Sequence, residues 1–186
     1  PEHKVTAIVG ASGSGKTTLV KLLLGFYAPN GGHIRVGDFS LQNINPHVWR
    51  AHTGCVMQDG FIFSDTIAKN IAVGDEVIDK ERLLHAVTVA NIRDFIDSLP
   101  LGYNTKIGME GSGVSQGQRQ RILIARAVYK NPEFIFLDEA TNALDANNEK
   151  EIMEHLHQFY RGRTVVIVAH RLSTVRDADN IVVLDK

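Results

Sequence analysis

The most chemically suggestive part of this chain is a glycine-rich loop between an apolar run and a helical pattern. The apolar run Val5 to Val9 predicts a buried strand, and the loop that follows reads Gly-Ala-Ser-Gly-Ser-Gly-Lys-Thr-Thr. A loop of this spacing, with a strand before it and a helix after it, wraps its backbone amides round the phosphates of a nucleoside triphosphate. The predicted phosphate-binding residues are Gly10, Ala11, Ser12, Gly13, Ser14, Gly15, Lys16, Thr17 and Thr18.

Two side chains of this loop have distinct chemistry. Lys16 supplies a full positive charge to the β and γ phosphates, and the Thr17 hydroxyl is the expected Mg²⁺ ligand because a small hard cation prefers oxygen. A helix predicted over Thr17 to Leu24 begins at the same point. Its unpaired amides and the positive end of its dipole therefore add to the phosphate site.

A second chemical motif is the strand Phe134 to Leu137, which is followed by Asp138 and Glu139. In a parallel sheet, ligands bind beyond the carboxyl ends of the strands, where the phosphate loop also lies. We therefore expect Asp138 to hold Mg²⁺ through water and Glu139 to orient and deprotonate a water that attacks the γ phosphate. Two acids that merely cap a surface loop are the alternative, and the upstream phosphate loop argues against it.

Length and composition restrict the remaining possibilities. With 186 residues and 44% hydrophobic content, the chain can bury one sizeable core. A net charge of −1 with scattered basic residues gives no electrostatic footprint for nucleic acid, so no nucleic-acid partner is expected. No apolar segment approaches the ~18 residues of a membrane span, and we expect the segment to be soluble. The single cysteine, Cys55, is expected to pack within a strand.

The order of elements predicts the fold class. Short apolar runs suited to buried strands alternate with helical patterns, which indicates an α/β fold with a doubly wound parallel sheet, as in the P-loop NTPases of the RecA-like type. Between Asp65 and Lys130 the periodicity is helical, with Asp79 and Ser115 as N-caps. We therefore predict a single domain with a core at 1–58 and 131–186 and a helical sub-domain at about 59–130.

A third motif lies ahead of the acidic strand. Residues Gly113 to Arg121 read Gly-Val-Ser-Gln-Gly-Gln-Arg-Gln-Arg, followed by Ala125-Arg126-Ala127. This stretch resembles the signature sequence of the ABC ATPases, usually Leu-Ser-Gly-Gly-Gln, with Val and Gln in place of the usual Leu and first Gly. Taken alone, it could also be a capped amphipathic helix with a basic solvated face. Its position between the two phosphate motifs favours the signature.

The resemblance to the ABC ATPases extends along most of the chain. The stretch around Gln58 resembles the family's Gln loop, Asn142 to Asp145 resembles its Asp loop, and Val168 to Leu172 resembles its switch-histidine segment. The resemblance implies that Gln58 coordinates Mg²⁺ and senses the γ phosphate, and that His170 hydrogen-bonds this phosphate and the attacking water. The catalytic residues are then Lys16, Gln58, Glu139 and His170, and the metal ligands are Thr17, Gln58 and Asp138.

The resemblance also implies that part of the site acts on another copy of the chain. Two nucleotide-binding domains would pack head to tail, so that Ser115, Gly117 and Gln118 contact the ATP held by the partner's phosphate loop. Asp145 would couple the two sites. Closure would require the γ phosphate, so hydrolysis would reopen the pair.

Within the family, the chain is most similar to exporters. Leu99 to Gly111 resembles the segment before the signature that contacts the membrane domains, and Ala140 to Glu149 is similar to the same stretch of peptide and bacteriocin exporters. The resemblance implies an ATP-hydrolysing motor domain, bound to transmembrane domains at the cytoplasmic face of the cell membrane. A soluble ABC-type ATPase not coupled to transport is the alternative, and a P-loop kinase or GTPase is disfavoured.

One expectation concerns adenine recognition. Family members carry an aromatic residue that stacks on adenine well before the phosphate loop, whereas here only nine residues precede Gly10. We therefore expect a domain excised from a longer polypeptide, with weakened adenine recognition and slow or undetectable hydrolysis in isolation.

Overall fold

The computed structural model describes residues 1–108, 113–144, 146–169 and 175–185. The chain divides into two compact units. The second unit contains the predicted sub-domain at about 59–130. It also contains the helix Ala146–Phe159, which the sequence analysis assigned to the core. The first unit consists of Pro1–Cys55, Pro132–Glu139 and Gly162–Lys186, and the second of Val56–Asn131 and Ala140–Arg161.

The first unit is built on a sheet of five strands. They are β1 (Val5–Gly10), β4 (Thr53–Val56), β7 (Phe134–Asp138), β8 (Thr164–Val168) and β9 (Asn180–Leu184). Their order in the sheet is β4-β7-β8-β1-β9. Strand β1 pairs in parallel with β8 and with β9, and β7 pairs in parallel with β8. The predicted α/β fold with a parallel sheet is therefore confirmed, because the apolar runs in the sequence become the buried strands.

Two α-helices, α1 and α2, belong to the first unit. Helix α1 spans Lys16–Leu23 and packs against β1, β7 and β8. Helix α2 spans Pro46–His52, and the Asn45 side chain caps it by accepting a hydrogen bond from the amide of His47. The first unit also contains the antiparallel strands β2 (Arg35–Val36) and β3 (Phe39–Ser40) and a 3-10 helix, Leu41–Asn43.

A buried tryptophan joins α2 to the sheet within this unit. The ring of Trp49 lies 4.9 Å from that of Phe134 and 6.4 Å from that of Phe136, between ring centroids. Its indole N–H donates to the carbonyl of Leu23, the last residue of α1. Trp49 therefore links two helices to β7 and satisfies its one polar atom while buried.

The second unit is mainly helical. Its helices and strands are β5 (Asp65–Thr66), α3 (Ile67–Ile71), α4 (Lys80–Val89), α5 (Arg93–Asp97), β6 (Lys106–Ile107), α6 (Gln116–Tyr129) and α7 (Ala146–Phe159). Helices α3 and α4 pack against α6, and α4 also contacts α7. The Asp79 side chain caps α4 by accepting a hydrogen bond from the amide of Arg82, so the predicted cap is confirmed.

The longest helices in the described part of the chain are α6 and α7, with 14 residues each. None of the helices described is long and apolar enough to cross a lipid bilayer.

The prediction for Cys55 was wrong. Cys55 does lie on β4, but its side chain is exposed whereas its neighbours Gly54 and Val56 are buried. Side chains alternate between the two faces of a strand, and β4 is an edge strand of the sheet. Thr53, which lies on the same face of β4 as Cys55, is buried, so the exposure is local to Cys55 on this edge strand.

Candidate active site

The phosphate loop runs from the end of β1 to the start of α1, and its lysine is folded into the loop. Lys16 is only 6% exposed. Its Nζ donates hydrogen bonds of 2.9 Å to the carbonyl oxygens of Gly10 and Ala11. Because a buried ammonium needs hydrogen-bond partners, these two carbonyls fix the charge inside the curve of the loop, next to the N-terminus of α1.

Two glycines of the loop adopt a left-handed backbone. Gly13 has a φ of 77° and Gly15 a φ of 93°, both in the left-handed region that side chains rarely tolerate. Gly10 is required for a different reason. A side chain there would overlap the carbonyl oxygen of Leu184 on β9 and would lie 2.7 Å from the hydroxyl of Ser14.

The N-terminus of α1 is open. Its N-cap residue is Gly15, which has no side chain with which to accept a hydrogen bond from the first-turn amides. Thr17 is half-buried at this end of the helix, and Thr18 is exposed. The amides of the first turn and the helix dipole therefore remain available to an anion.

The acidic pair lies at the same edge of the sheet as the loop. Asp138 is in register with Val168 on β8, and Val168 is in register with Ile8 on β1, two residues before the loop. Asp138 is thus two strand spacings from β1, or about 10 Å. It is 1% exposed, whereas Glu139 is half-buried.

The backbone of Glu139 is unusual. Its φ of 54° lies in the left-handed region, which is unfavourable for a residue with a β-carbon. Such conformations cluster at functional sites, where the surrounding structure holds them. The sequence did not predict this strain.

The oxygen donors of the first unit fit a magnesium ion. Thr17 offers a hydroxyl and Asp138 a carboxylate, and the elements that carry them, α1 and β7, pack against each other. Magnesium is commonly held by one or two protein oxygens, with waters and substrate phosphates as its other ligands. Among the described residues, no group of three or more histidine, cysteine, aspartate or glutamate side chains could hold a metal ion. The two oxygen donors Thr17 and Asp138 therefore fit magnesium as its protein ligands.

The predicted Gln-loop residue lies in the second unit. Gln58 is exposed and follows β4, in a turn that closes with a 3.1 Å hydrogen bond from the amide of Gly60 to the carbonyl of Met57. The turn presents the Gln58 side chain to solvent.

The predicted signature residues surround the N-terminus of α6. The Ser115 hydroxyl accepts a hydrogen bond of 3.2 Å from the amide of Gln118, and the Gln118 side chain accepts one of 2.8 Å from the amide of Ser115. This reciprocal pair is a capping box, so the predicted cap at Ser115 is confirmed. The side-chain oxygen of Gln118 is therefore hydrogen-bonded to the N-cap of its own helix in this structure.

Gly117 lies against the backbone of the same chain. A β-carbon at this position would approach the carbonyl oxygen of Ala143 to 3.3 Å. The first turn of α6 thus packs against the segment that the sequence identifies with the Asp loop. The small residue at position 117 allows this approach.

Two of the predicted site residues, Asp145 and His170, lie outside the described residues. Their roles stay predictions. The structure brings the phosphate loop, Asp138 and Glu139 together in the first unit, and it places Gln58, Ser115, Gly117 and Gln118 in the second.

Sequence analysis did not predict the contacts by which three polar residues organise the second unit. Arg119 and Arg126 donate to backbone carbonyls of the segment after Gln58, and Asn70 is completely buried. Sequence alone offered one weak signal. Positions 119 and 126 are seven apart and so share one face of α6.

Comparisons with known proteins identify the family. A family model described as "ABC transporter" matches residues 1–142. An ATP-dependent lipid A-core flippase of Saccharophagus degradans is 50% identical over 182 residues, which are 98% of this chain and 31% of the flippase. A toxin RTX-I translocation ATP-binding protein of Actinobacillus pleuropneumoniae is 46% identical over 185 residues, 100% of this chain and 26% of that protein.

A solved structure agrees with these relatives. It is described as a bacterial Atm1-family ABC exporter with ATP bound, and it matches with a TM-score of 0.94 and 41% identity over 99% of this chain and 32% of its own. The chain thus spans between a quarter and a third of the length of the proteins that it matches. From the match over most of its length, the chain belongs to the ABC transporter family, as an ATP-binding domain of the exporter type.

Proposed function

We propose that the protein binds ATP with Mg²⁺ at the Gly10–Thr18 loop and hydrolyses it as the motor domain of an ABC exporter. One observation carries the proposal. The phosphate loop, with the Lys16 ammonium folded into it, shares one edge of a parallel sheet with the buried Asp138 and the strained Glu139. The names of the relatives, which include an ATP-dependent flippase and translocation ATP-binding proteins, support the same activity.

The proposed site residues have distinct roles in this reaction. Lys16 and the open amides of α1 hold the β and γ phosphates, because they offer a full charge and unpaired N–H donors. Thr17 and Asp138 would hold the Mg²⁺, which when bound neutralises charge on the phosphates. Glu139 orients a water and accepts its proton as that water attacks the γ phosphate. Gln58 and His170 would contact the metal and the γ phosphate, as the family resemblance implies.

We further propose that two copies act together. Ser115, Gly117 and Gln118 of one copy would complete the nucleotide site on the phosphate loop of the other, with Asp145 between the two sites. Transmembrane domains would couple this closure to transport, and the domain would then lie at the cytoplasmic face of a membrane. The family match and the ATP-bound exporter of similar structure support this arrangement.

For the cargo we propose a peptide or polypeptide. The sequence resembles peptide and bacteriocin exporters from Ala140 to Glu149, and toxin translocation proteins are among its relatives. A lipid is the competing class, because a lipid A-core flippase is also a relative. A transport assay in vesicles with a labelled peptide and a labelled lipid distinguishes them, and transport of the lipid alone would contradict the peptide proposal.

Substitution of Glu139 tests the enzymatic part of the proposal. Glu139→Gln keeps the size of the side chain and removes its basicity, so ATP binding should persist while steady-state hydrolysis falls by about 100-fold or more. Glu133→Gln is the matched control, because Glu133 is an exposed residue just before the opposite end of the same strand. Full hydrolysis by Glu139→Gln would show that the catalytic assignment is wrong.

A further inference from the structure

The turn that carries Gln58 is followed by a segment without regular structure that leads to β5. The turn ends at Gly60, whose amide closes it by bonding to Met57. Residues 61–64 then lead to β5, and α3 follows. Loop segments of this kind usually move readily, unless contacts with neighbouring elements hold them.

Arg119 holds the end of the Gln58 turn. It lies in the first turn of α6, four residues after Ser115, and its Nη2 donates a hydrogen bond of 2.7 Å to the carbonyl oxygen of Gly60. At the same point the backbone packs on α6, since a β-carbon on Gly60 would lie 2.5 Å from a methyl group of Leu123. One arginine and one close contact therefore fasten this turn to the helix.

Arg126 holds the next part of the segment from the same face of α6. Its Nη1 donates to the carbonyl of Phe61 at 2.8 Å, and its Nε donates to the carbonyl of Asn70 at 2.7 Å. Its guanidinium also lies 5.4 Å from the centre of the Phe63 ring. The guanidinium thus joins both ends of the stretch 61–70 to the helix.

Asn70 completes the connection. Its side chain is fully buried, and its Oδ1 accepts a hydrogen bond of 2.8 Å from the amide of Phe63. Its Nδ2 donates to the carbonyls of Phe63 and Thr66, each at 3.0 Å. A buried amide with satisfied donors and acceptor specifies one local conformation, because any other leaves polar groups unpaired.

We propose that Arg119 and Arg126 are positioning residues that lock the Gln58 turn to helix α6. Gln58 and Ser115 are then carried by one rigid element. This inference rests on the proposed function, in which Gln58 contacts the nucleotide of its own chain and Ser115 that of the partner. A shift of the Gln58 turn moves the Ser115 cap of α6 with it. Hydrolysis of the nucleotide at Gln58 therefore changes the contact that Ser115 makes with the partner's nucleotide.

The chemistry of the two side chains explains why arginine is needed. Arg126 uses two edges of a planar guanidinium to reach two carbonyls, and a lysine ammonium cannot reproduce that fork. Arg82 offers a matched control in the same unit. It also donates through two guanidinium nitrogens to a backbone carbonyl, that of Tyr129, and lies over that ring, at the far end of α6 from Ser115.

A double-mutant cycle on ATP hydrolysis tests the proposal. Arg126→Gln should lower kcat about 10- to 100-fold and leave the KM for ATP within about twofold, because the phosphate loop is untouched. In a Gln58→Ala background the same change should lower kcat by less than about twofold, since both substitutions disable one device. Arg82→Gln should change kcat less than about twofold. Additive losses, or an equal loss from Arg82→Gln, would overturn the proposal.

Amide hydrogen exchange provides a readout that does not require hydrolysis. In the nucleotide-free protein, Arg119→Gln and Arg126→Gln should speed exchange at Gly60 and Phe63 about tenfold, while Arg82→Gln leaves it unchanged. Unchanged exchange in the first two variants would mean that the arginines do not fasten the turn. Hydrolysis is measured in a longer transporter that contains this domain, because the domain alone is expected to hydrolyse ATP slowly or undetectably. If that wild-type transporter does not hydrolyse ATP, the proposed function fails, and exchange alone then decides whether the lock exists.

Discussion

The two helix N-termini that are expected to meet phosphate are built in opposite ways. At α1 the N-cap is Gly15 in a left-handed conformation, so no cap side chain occupies the first-turn amides. At α6 the N-cap is Ser115, and a capping box with Gln118 closes the end of the helix. One end is open to an anion, and the other is satisfied by its own side chains.

The two kinds of helix end suit different uses. An open helix end binds phosphate without first giving up a hydrogen bond, which suits a site that a single chain fills alone. A capped end gains about 1 kcal/mol from its cap and remains stable without a ligand. Such an end suits a contact that forms only when a second copy arrives with its nucleotide.

The largest effect should come from removing the charge at the open end. Lys16→Ala deletes the ammonium beside the phosphates and should weaken ATP binding about 10- to 100-fold, since hydrogen bonds to charged groups contribute roughly 1.5–3 kcal/mol. Titration calorimetry measures this directly. Lys21→Ala, in the last turn of the same helix, is the control and should bind ATP normally. Equal binding by both variants would mean that the open end of α1 does not hold phosphate.

Substitutions at Ser115 separate the two roles expected of the capped end of α6, which are capping its own helix and contacting the partner's nucleotide. Ser115→Ala should lower the free energy of unfolding by about 1 kcal/mol, whereas Ser115→Asp retains a good cap and the stability. Both should leave ATP binding to the single chain unchanged. In the dimer, Ser115→Asp places a negative charge where phosphate is expected, so hydrolysis should fall by about tenfold or more. Normal hydrolysis by a stable Ser115→Asp protein would contradict the contact with the partner's nucleotide.

The smallest effect concerns the start of β1, the strand that ends at the open site. The amide of Val5 donates to the Asp179 carboxylate at 2.8 Å, and Lys4 lies 3.4 Å from it, so the pKa of Asp179 is lowered from its ordinary value. A lowered folded-state pKa stabilises the protein above about pH 4, and this contribution is lost as the pH falls through the folded value. Asp179→Asn should therefore reduce stability slightly at neutral pH and not in strong acid.

Unfolding curves at several pH values measure this effect. Asp177→Asn, which removes a carboxylate that pairs with its neighbour Arg176, is the control. A destabilisation by Asp179→Asn that is the same at all pH values would rule out the carboxylate as its source.

Much of the fold and of the phosphate site could be predicted because the signals are local. The apolar runs at Val5 and Phe134 become strands β1 and β7, and the glycine spacing predicts the loop that joins β1 to α1. The caps at Asp79 and Ser115 were predicted for the same reason, since a cap depends on residues three positions apart.

The remaining features depend on contacts between distant parts of the chain. The bond from Arg119 to Gly60 joins positions 59 residues apart, and nothing in the local sequence around either residue indicates it. The exposure of Cys55 occurs on a strand at the edge of the sheet, and a strand pattern alone does not give the place of β4 in the sheet. The left-handed backbone of Glu139 likewise reflects its surroundings, because glutamate has no preference for it.

The left-handed backbone at position 139 sets the stability of the fold against catalysis. Glycine would adopt a φ of 54° without steric penalty, whereas glutamate there costs roughly 1–2 kcal/mol. A protein evolving only for thermal resistance would therefore drift toward glycine at this position and lose its general base. Any lineage that keeps a glutamate in this geometry accepts a less stable fold in exchange for a carboxylate, and stabilising screens without an activity filter should be expected to discard it.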